Sequence, residues 1–411
     1  MNNSRSLGAS EQLWLKLGQE DSNNFVVVAQ LAGEVDSERL LSALQEITQA
    51  QAILCVKVKN NSFHLEEVPD VTPTIIPRED HEHWQRLVEH ELNSAIPINA
   101  FPLWRFNWLK GEGHHEFVLT FNHGIADGRS GVVFFEYLLK KMADNSFKIP
   151  LTPLRPSFEK LSIKPALWGL AQSAWAYLWD KRISWQRMTA NRELSVKETG
   201  LLSRSLNAGQ VTKIVDLCRQ HKTSVSAYLA ALLSRFEGDT QDKNVRLSLA
   251  VDVRPSLKEN SFADIAYNVA TVDLAKRAGN TDNIWDLSRS FKTTITKKCR
   301  QQFKFDQLIV ASALKLKKEH KSFMKLIRSA NTNSIMLTNL GRLNIPVNYN
   351  NLKLLRCFHI PSVHLLDLPY VALATTTLQG EMVLNFTYTK AYFSAKTIES
   401  MVDNFMANLM N

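Results

Sequence analysis

Apolar and polar positions along this chain switch repeatedly between a period of two and a period near 3.6, the pattern of strands alternating with helices. Residues 24–31 (NFVVVAQL) form a Val-rich run that ends at Gly33 and predicts a strand. Asp36 or Ser37 can cap the helix that follows, where Leu40, Leu41, Leu44 and Ile47 recur at helical spacing. Residues 53–58 alternate as a strand and can pair with 62–68 across the Asn60-Asn61 turn. Residues 81–95 predict a helix, and 103–109 and 116–121 a strand pair joined by the turn from Gly111 to Gly113.

From residue 143 to about 200 this rhythm breaks. Pro150, Pro153, Pro156 and Pro165 punctuate a connector, and residues 166–185 are rich in aromatics. The alternation then resumes. Helices are predicted over 210–220 and 224–236, with Thr223 or Ser224 as cap, and over 284–298. Strands are predicted at 245–253, 266–274, 334–337, 353–358, 371–378 and 382–388, the last two joined as a hairpin at Gln379-Gly380. An amphipathic helix closes the chain over 394–409, with Ile398, Met401, Val402, Phe405 and Met406 on one face. No short-period repeat is present, and the picture is an α/β protein in three parts: residues 1–150, a crossover at 151–200, and 201–411.

Composition changes this picture little. The 411 residues are 45% hydrophobic and 22% charged, a globular balance with ample material for a core. The 49 Lys and Arg exceed the 40 acidic residues by nine, an excess that suits a phosphate-bearing substrate, an acidic carrier protein or an anionic surface as readily as no partner at all. Basic runs interleaved with aromatics are missing, which argues against nucleic acid. Cys55, Cys218, Cys299 and Cys357 lie far apart without a CxxC pair, so neither a zinc or redox motif nor a disulfide framework is expected. The polar first ten residues and the lack of a long uncharged apolar run lead us to expect a cytoplasmic protein.

The stretch with chemical content is residues 116–144, EFVLTFNHGIADGRSGVVFFEYLLKKMAD. An alternating strand leads into Asn122, His123, Gly124, Asp127, Gly128, Arg129, Ser130 and Gly131, and a strongly apolar helix follows over 132–139. A histidine at the end of a buried strand is held by its scaffold, and imidazole titrates where it can take a proton from a hydroxyl or amine. Glycines at 124, 128 and 131 let the backbone turn and a substrate approach. A lone histidine of this kind can equally satisfy a buried turn, with Asp127 as a helix cap. The concentration of polar residues and glycines between two apolar elements favours chemistry. The chain has no GxSxG elbow, P-loop, HExxH or dinucleotide glycine pattern, so neither a covalent nucleophile nor a bound metal or cofactor is implied.

His123-Gly-Ile-Ala-Asp127-Gly128 resembles the HHxxxDG motif of the superfamily of condensation domains and chloramphenicol acetyltransferase-like acyltransferases, closest to its alcohol acetyltransferases and polyketide-associated acyltransferases. Other stretches resemble the superfamily in the same order: AVDVRP at 250–255, the Asn268 segment at 267–269, TNLG at 338–341, and the final hairpin and helix. Asn122 stands where the double-histidine form has its first histidine, and His114-His115 has no Asp-Gly at the right distance. The resemblance implies two α/β subdomains, each with a mixed, largely antiparallel sheet, forming a V around a tunnel. It implies that His123 is the general base that drives an acceptor hydroxyl or amine onto a thioester carbonyl, with acyl-CoA or a phosphopantetheinyl thioester on an acyl or peptidyl carrier protein as co-substrate. Asp127 and Gly128 shape the motif, and Asp127 pairs with Arg254 in a buried ion pair. Asn339 either lines the tunnel or shapes its turn, Ser130 either polarises the carbonyl or caps the helix, and Asn268 lies with them at the substrate. A monomer is expected.

Trp168, Trp175 and Trp179 fall on one face of a presumed helix flanked by Lys160, Lys164, Lys181, Arg182 and Arg187. Such a face either packs on the protein or forms a membrane contact or lid at 166–185, the latter implying a lipid-like substrate. Two further readings are a stand-alone condensation enzyme that makes amides on carrier-bound substrates and a catalytically silent carrier-binding protein on the same fold.

Overall fold

The computed structural model describes residues 3–410 apart from 20, 162–184, 189, 238–242, 258–263, 279–282, 299–318 and 331–332. The aromatic stretch 166–185, Trp185 excepted, therefore lies outside the described residues. The chain forms two compact units, and they are not contiguous in sequence. The first comprises Met1–Ser162, Leu257–Asn268 and Arg342–Leu365, and the second Ile163–Ser256, Val269–Gly341 and Leu366–Asn411. Both units therefore draw on chain beyond the expected crossover at 151–200. Two later segments return to the first unit because their backbone groups are satisfied there, one as a strand and one on the His123 loop.

The first unit starts with β1 (Ser4–Ser6) and α1 (Ala9–Leu17), a helix absent from the sequence expectations. Then come β2 (Asn24–Gly33), α2 (Ser37–Ala50), β3 (Val56–Lys59), β4 (Ser62–Leu65), β5 (Thr74–Pro77), α3 (His83–Asn93), β6 (Trp104–Lys110), β7 (His114–Asn122) and α4 (Gly128–Ala143). Asp36 caps α2 through bonds to the amides of Glu38 and Arg39, as the sequence suggests. Asn60 and Asn61 both take positive φ in the tight β3–β4 turn, a conformation Asn tolerates. Two later strands, β12 (Asn348–Tyr349) and β13 (Leu352–Pro361), complete a six-stranded sheet in the order β12-β13-β2-β7-β6-β5, antiparallel except for β5 with β6.

Both faces of this sheet are covered, which explains the unbroken apolar run in β2. Alternate residues point to opposite faces. Phe121 meets Phe134 of α4 on one side, and Thr120 Oγ1 donates to Glu91 of α3 at 2.7 Å on the other. Along β13, Phe358 packs on Trp84 of α3, whereas His359 sits beneath the first residue of α4.

The second unit holds another six-stranded mixed sheet. Its strands are β8 (Thr199–Leu206), β9 (Val245–Asp252), β10 (Val269–Lys276), β11 (Ile335–Arg342), β14 (Val371–Leu378) and β15 (Glu381–Thr389), in the order β10-β9-β11-β14-β15-β8. Helices α5 (Ala208–Gln220), α6 (Val225–Leu233), α7 (Ile284–Lys298), α8 (His320–Ala330) and α9 (Ala395–Leu409) accompany it. Leu229, Phe236 and Phe405 share one core with Leu247, Leu373 and Phe386 of the sheet. Each unit therefore carries the mixed, largely antiparallel sheet with helices that was expected. Among the described residues, no helix is long and apolar enough to cross a membrane.

Candidate active site

Between β7 and α4 the chain makes a five-residue loop, His123 to Asp127, and its side chains are fixed from both ends. Asn122 closes β7. Its buried amide oxygen accepts from the Gly124 amide at 3.0 Å and from Asn23 Nδ2 at 3.2 Å, while its Nδ2 donates to the Ile96 carbonyl at 3.0 Å. The residue standing in place of the motif's first histidine therefore holds the loop's base together.

His123 Nδ1 lies 3.0 Å from the Ala126 carbonyl. A carbonyl only accepts, so Nδ1 carries the proton and Nε2 is left with the lone pair. Trp14 stacks on the imidazole with ring centroids 4.4 Å apart and planes 25° from parallel. Phe25 and Tyr267 approach it at 4.9 and 5.5 Å. This apolar enclosure disfavours the charged ring and lowers the His123 pKa from its ordinary value, partly offset by the Ala126 bond and the Asp127 charge. At neutral pH the ring is a neutral base, and part of its surface stays open.

Asp127 is buried and caps α4. Its Oδ1 accepts from the Ser130 amide and lies 2.9 Å from Ser130 Oγ; its Oδ2 accepts from the Asn268 amide at 2.8 Å. Ser130 Oγ also accepts from the Ala266 amide at 3.0 Å and lies 2.7 Å from the Ala266 carbonyl, so its single proton serves one of two acceptors at a time. Arg155 pairs with Asp264 at 3.0 Å, anchoring the same returning segment from its other end. Asp127 and Ser130 thus join each other to the backbone of residues 266 and 268. Ser130 is fully buried in this network. What Asn268 contributes here is its amide.

The glycines act differently from the sequence reading. Gly124, Gly128 and Gly131 are not among the residues with positive φ, so no unusual turn requires them. Close packing does. A Cβ on Gly128 would lie 2.9 Å from the His359 ring, one on Gly124 2.5 Å from Leu15 Cγ, and one on Gly131 would overlap Val27. The first turn of α4 thus sits directly on β2 and β13. The buried His359 ring beneath it is pushed down to about 4, chiefly by burial and with a smaller unfavourable contribution from His123.

Arg254 and Asn339 belong to the second unit. Arg254 is buried, and its backbone amide and Nη1 both bond Asp252, at 3.0 and 3.1 Å. Asn339 donates to Ser226 Oγ at 3.0 Å and accepts from the amide of Gly341, whose φ is +67°. Sequence reasoning missed Trp14, Phe25 and His359 as neighbours of His123. Only α1 offered a signal, in Glu11 three residues beyond Gly8 and the run Leu13, Trp14, Leu15 and Leu17.

The fold is shared with structures of remote sequence. The trichothecene 15-O-acetyltransferase of Fusarium sporotrichioides superposes with a TM-score of 0.76 at 12% identity, covering 99% of this chain and 94% of that one. The epimerization domain of the third module of tyrocidine synthetase B gives 0.73 at 13% identity, covering 99% and 95%. Polyketide synthase associated protein 5 of Mycobacterium tuberculosis gives 0.66 at 14% identity, covering 99% and 97%. No curated protein matches the chain by sequence. The profile of the alcohol acetyltransferase family matches residues 79–410, which span the His123 loop, the returning segments and the closing hairpin and helix, and the chain belongs to that family of acyltransferases.

Proposed function

We propose that this acyltransferase moves an acyl group from a thioester, acyl-CoA or an acylated carrier protein, to the hydroxyl of a small or lipophilic alcohol, with His123 as general base. An amine acceptor calls for the same chemistry; the family match favours the alcohol. The observation carrying the reading is the bond from His123 Nδ1 to Ala126, which leaves a neutral Nε2 on a ring held by aromatic neighbours. Nε2 takes the acceptor proton as its oxygen attacks the thioester carbonyl. The tetrahedral intermediate collapses, the C–S bond breaks, and the imidazolium returns the proton to the leaving thiolate. General-base catalysis of this kind contributes about 10²–10⁴-fold, and placing two reactants together supplies a further share.

The test is thiol release from acyl-CoAs of graded length with a pool of alcohols and amines, comparing wild type with His123→Ala. Acceptor-dependent release should fall by about 10²–10⁴-fold in a variant with an unchanged melting temperature. Because burial lowers the His123 pKa, the acid limb of kcat/KM should lie below about pH 6.5. Equal release from both proteins would refute the assignment. Silence towards every acyl-CoA, followed by activity once an acylated carrier protein is supplied, would identify the carrier as donor.

A further inference from the structure

The imidazole of His123 is braced by a helix that plays no part in the motif. Trp14 projects from α1 and is only half-buried, whereas its neighbours Leu15 and Leu17 are core residues. Its indole lies against the His123 ring, and its Nε1–H donates to the Tyr267 hydroxyl at 2.8 Å. Tyr267 in turn presents its ring to the imidazole at 62°. Both partners are held independently. The Trp14 carbonyl accepts from Asn23 Nδ2 at 2.7 Å, and the same Asn23 amide reaches Asn122 at the foot of the loop. Tyr267 sits between Ala266 and Asn268, the two residues whose backbone groups bind Ser130 and Asp127. Burial pushes the Tyr267 phenol up, so its oxygen remains a neutral acceptor for the indole.

We propose that Trp14 and Tyr267, joined by their hydrogen bond, are positioning residues that fix the plane of the His123 imidazole, and that Asp127 and Ser130 act on the base through them. The inference rests on His123 being the base. The Nδ1–Ala126 bond holds one edge of the ring, and the stacked indole bears on its face, opposing tilt about the side-chain torsions. A base displaced by about 1 Å can lose on the order of 10²-fold in rate. Asp127 acquires a role beyond capping α4: it docks the segment that carries Tyr267.

The experiment compares kcat and KM of wild type, Trp14→Phe, Trp14→Leu, Tyr267→Phe and the Trp14→Phe/Tyr267→Phe double variant, with His123→Ala as reference. Trp14→Phe keeps a ring for stacking and loses the donor; Tyr267→Phe keeps the ring and loses the acceptor. Each should lower kcat about 2–10-fold, the range set by one net hydrogen bond, with KM within about threefold, as expected when binding is untouched. The double variant should fall no further than the worse single one, because both remove the same bond. Trp14→Leu should lose about 10–100-fold in kcat. In protein carrying ¹³Cε1-labelled histidine, the His123 resonance, identified by its loss in His123→Ala, should move in Trp14→Leu as the indole ring current disappears. Wild-type kcat in folded Trp14→Leu beside an inactive His123→Ala would overturn the clamp alone, as would losses that multiply in the double variant. A fully active His123→Ala would overturn the base and with it this proposal.

Discussion

Asp127→Asn is the substitution that tests the network most sharply, because it alters one atom without altering shape. In the protein, two backbone amides rely on separate oxygens of this carboxylate: Ser130 on Oδ1 and Asn268 on Oδ2. Asparagine has one oxygen. If it faces Ser130, the Asn268 N–H confronts an NH2 group; if it flips, Asn268 is satisfied and the first turn of α4 loses its cap. In either arrangement one buried N–H is orphaned, which costs about 1–3 kcal/mol, comparable with the range for losing a cap. A cost of about 2 kcal/mol in a unit of roughly 200 residues shifts Tm by about 4–8 °C. The assay is thermal melting followed by near-UV circular dichroism, with thiol release measured on the same samples below the transition. Turnover should fall as well, since the Asn268 amide holds the segment that presents Tyr267 to His123. A melting temperature within about 1 °C of wild type, where a shift of several degrees is expected, would refute the claim that Asp127 organises this loop.

Two other outcomes follow from the packing around α4. Gly131→Ala places a methyl on Val27 and should destabilise by about 1–3 kcal/mol as an overpacked core; adding Val27→Ala should recover most of that loss in urea melts. His359 has a folded-state pKa lowered to about 4, so the unfolded chain binds its proton first. Its contribution to stability is fully present above about pH 6.5 and is lost as pH falls towards 4, about 3 kcal/mol at one pKa unit per 1.36 kcal/mol. The pH dependence of urea stability between pH 6.5 and 4 should therefore be shallower in His359→Gln than in wild type, and parallel curves would show that this ring does not titrate there.

How far the sequence reached is clearest at the motif itself. The strand leading to Asn122, the cap at Asp127 and an apolar helix after it were legible because each is a local matter of alternation, capping and helical spacing, although α4 begins at Gly128, four residues before the expected 132. The hairpin at Gln379-Gly380 was legible from a glycine between two alternating apolar runs, and both turn residues adopt positive φ. What could not be read was who touches whom. The glycines looked like turn formers, yet their use is the absence of a Cβ against Leu15, His359 and Val27, a fact of three-dimensional approach. Residues 266–268 looked like the start of a strand; the structure begins that strand at Val269 and gives the preceding backbone groups to Asp127 and Ser130. Helix α1 escaped notice because nine residues carry little periodicity, and its position is fixed by partners elsewhere in the chain.

The pairing of β13 with β2 has a consequence for how the protein is made. These neighbours in one sheet are separated by more than three hundred residues of chain. At translation rates of about 5–20 residues per second, β2 waits on the order of 15–60 s after emerging from the ribosome before its partner exists. Throughout that interval the edge of an apolar strand, Phe25 to Leu31, has unpaired backbone groups, a template for association with other chains. A nascent chain stalled before residue 352 should therefore bind chaperones through β2, and the His123 loop cannot mature until β13 arrives to seat His359 beneath Gly128.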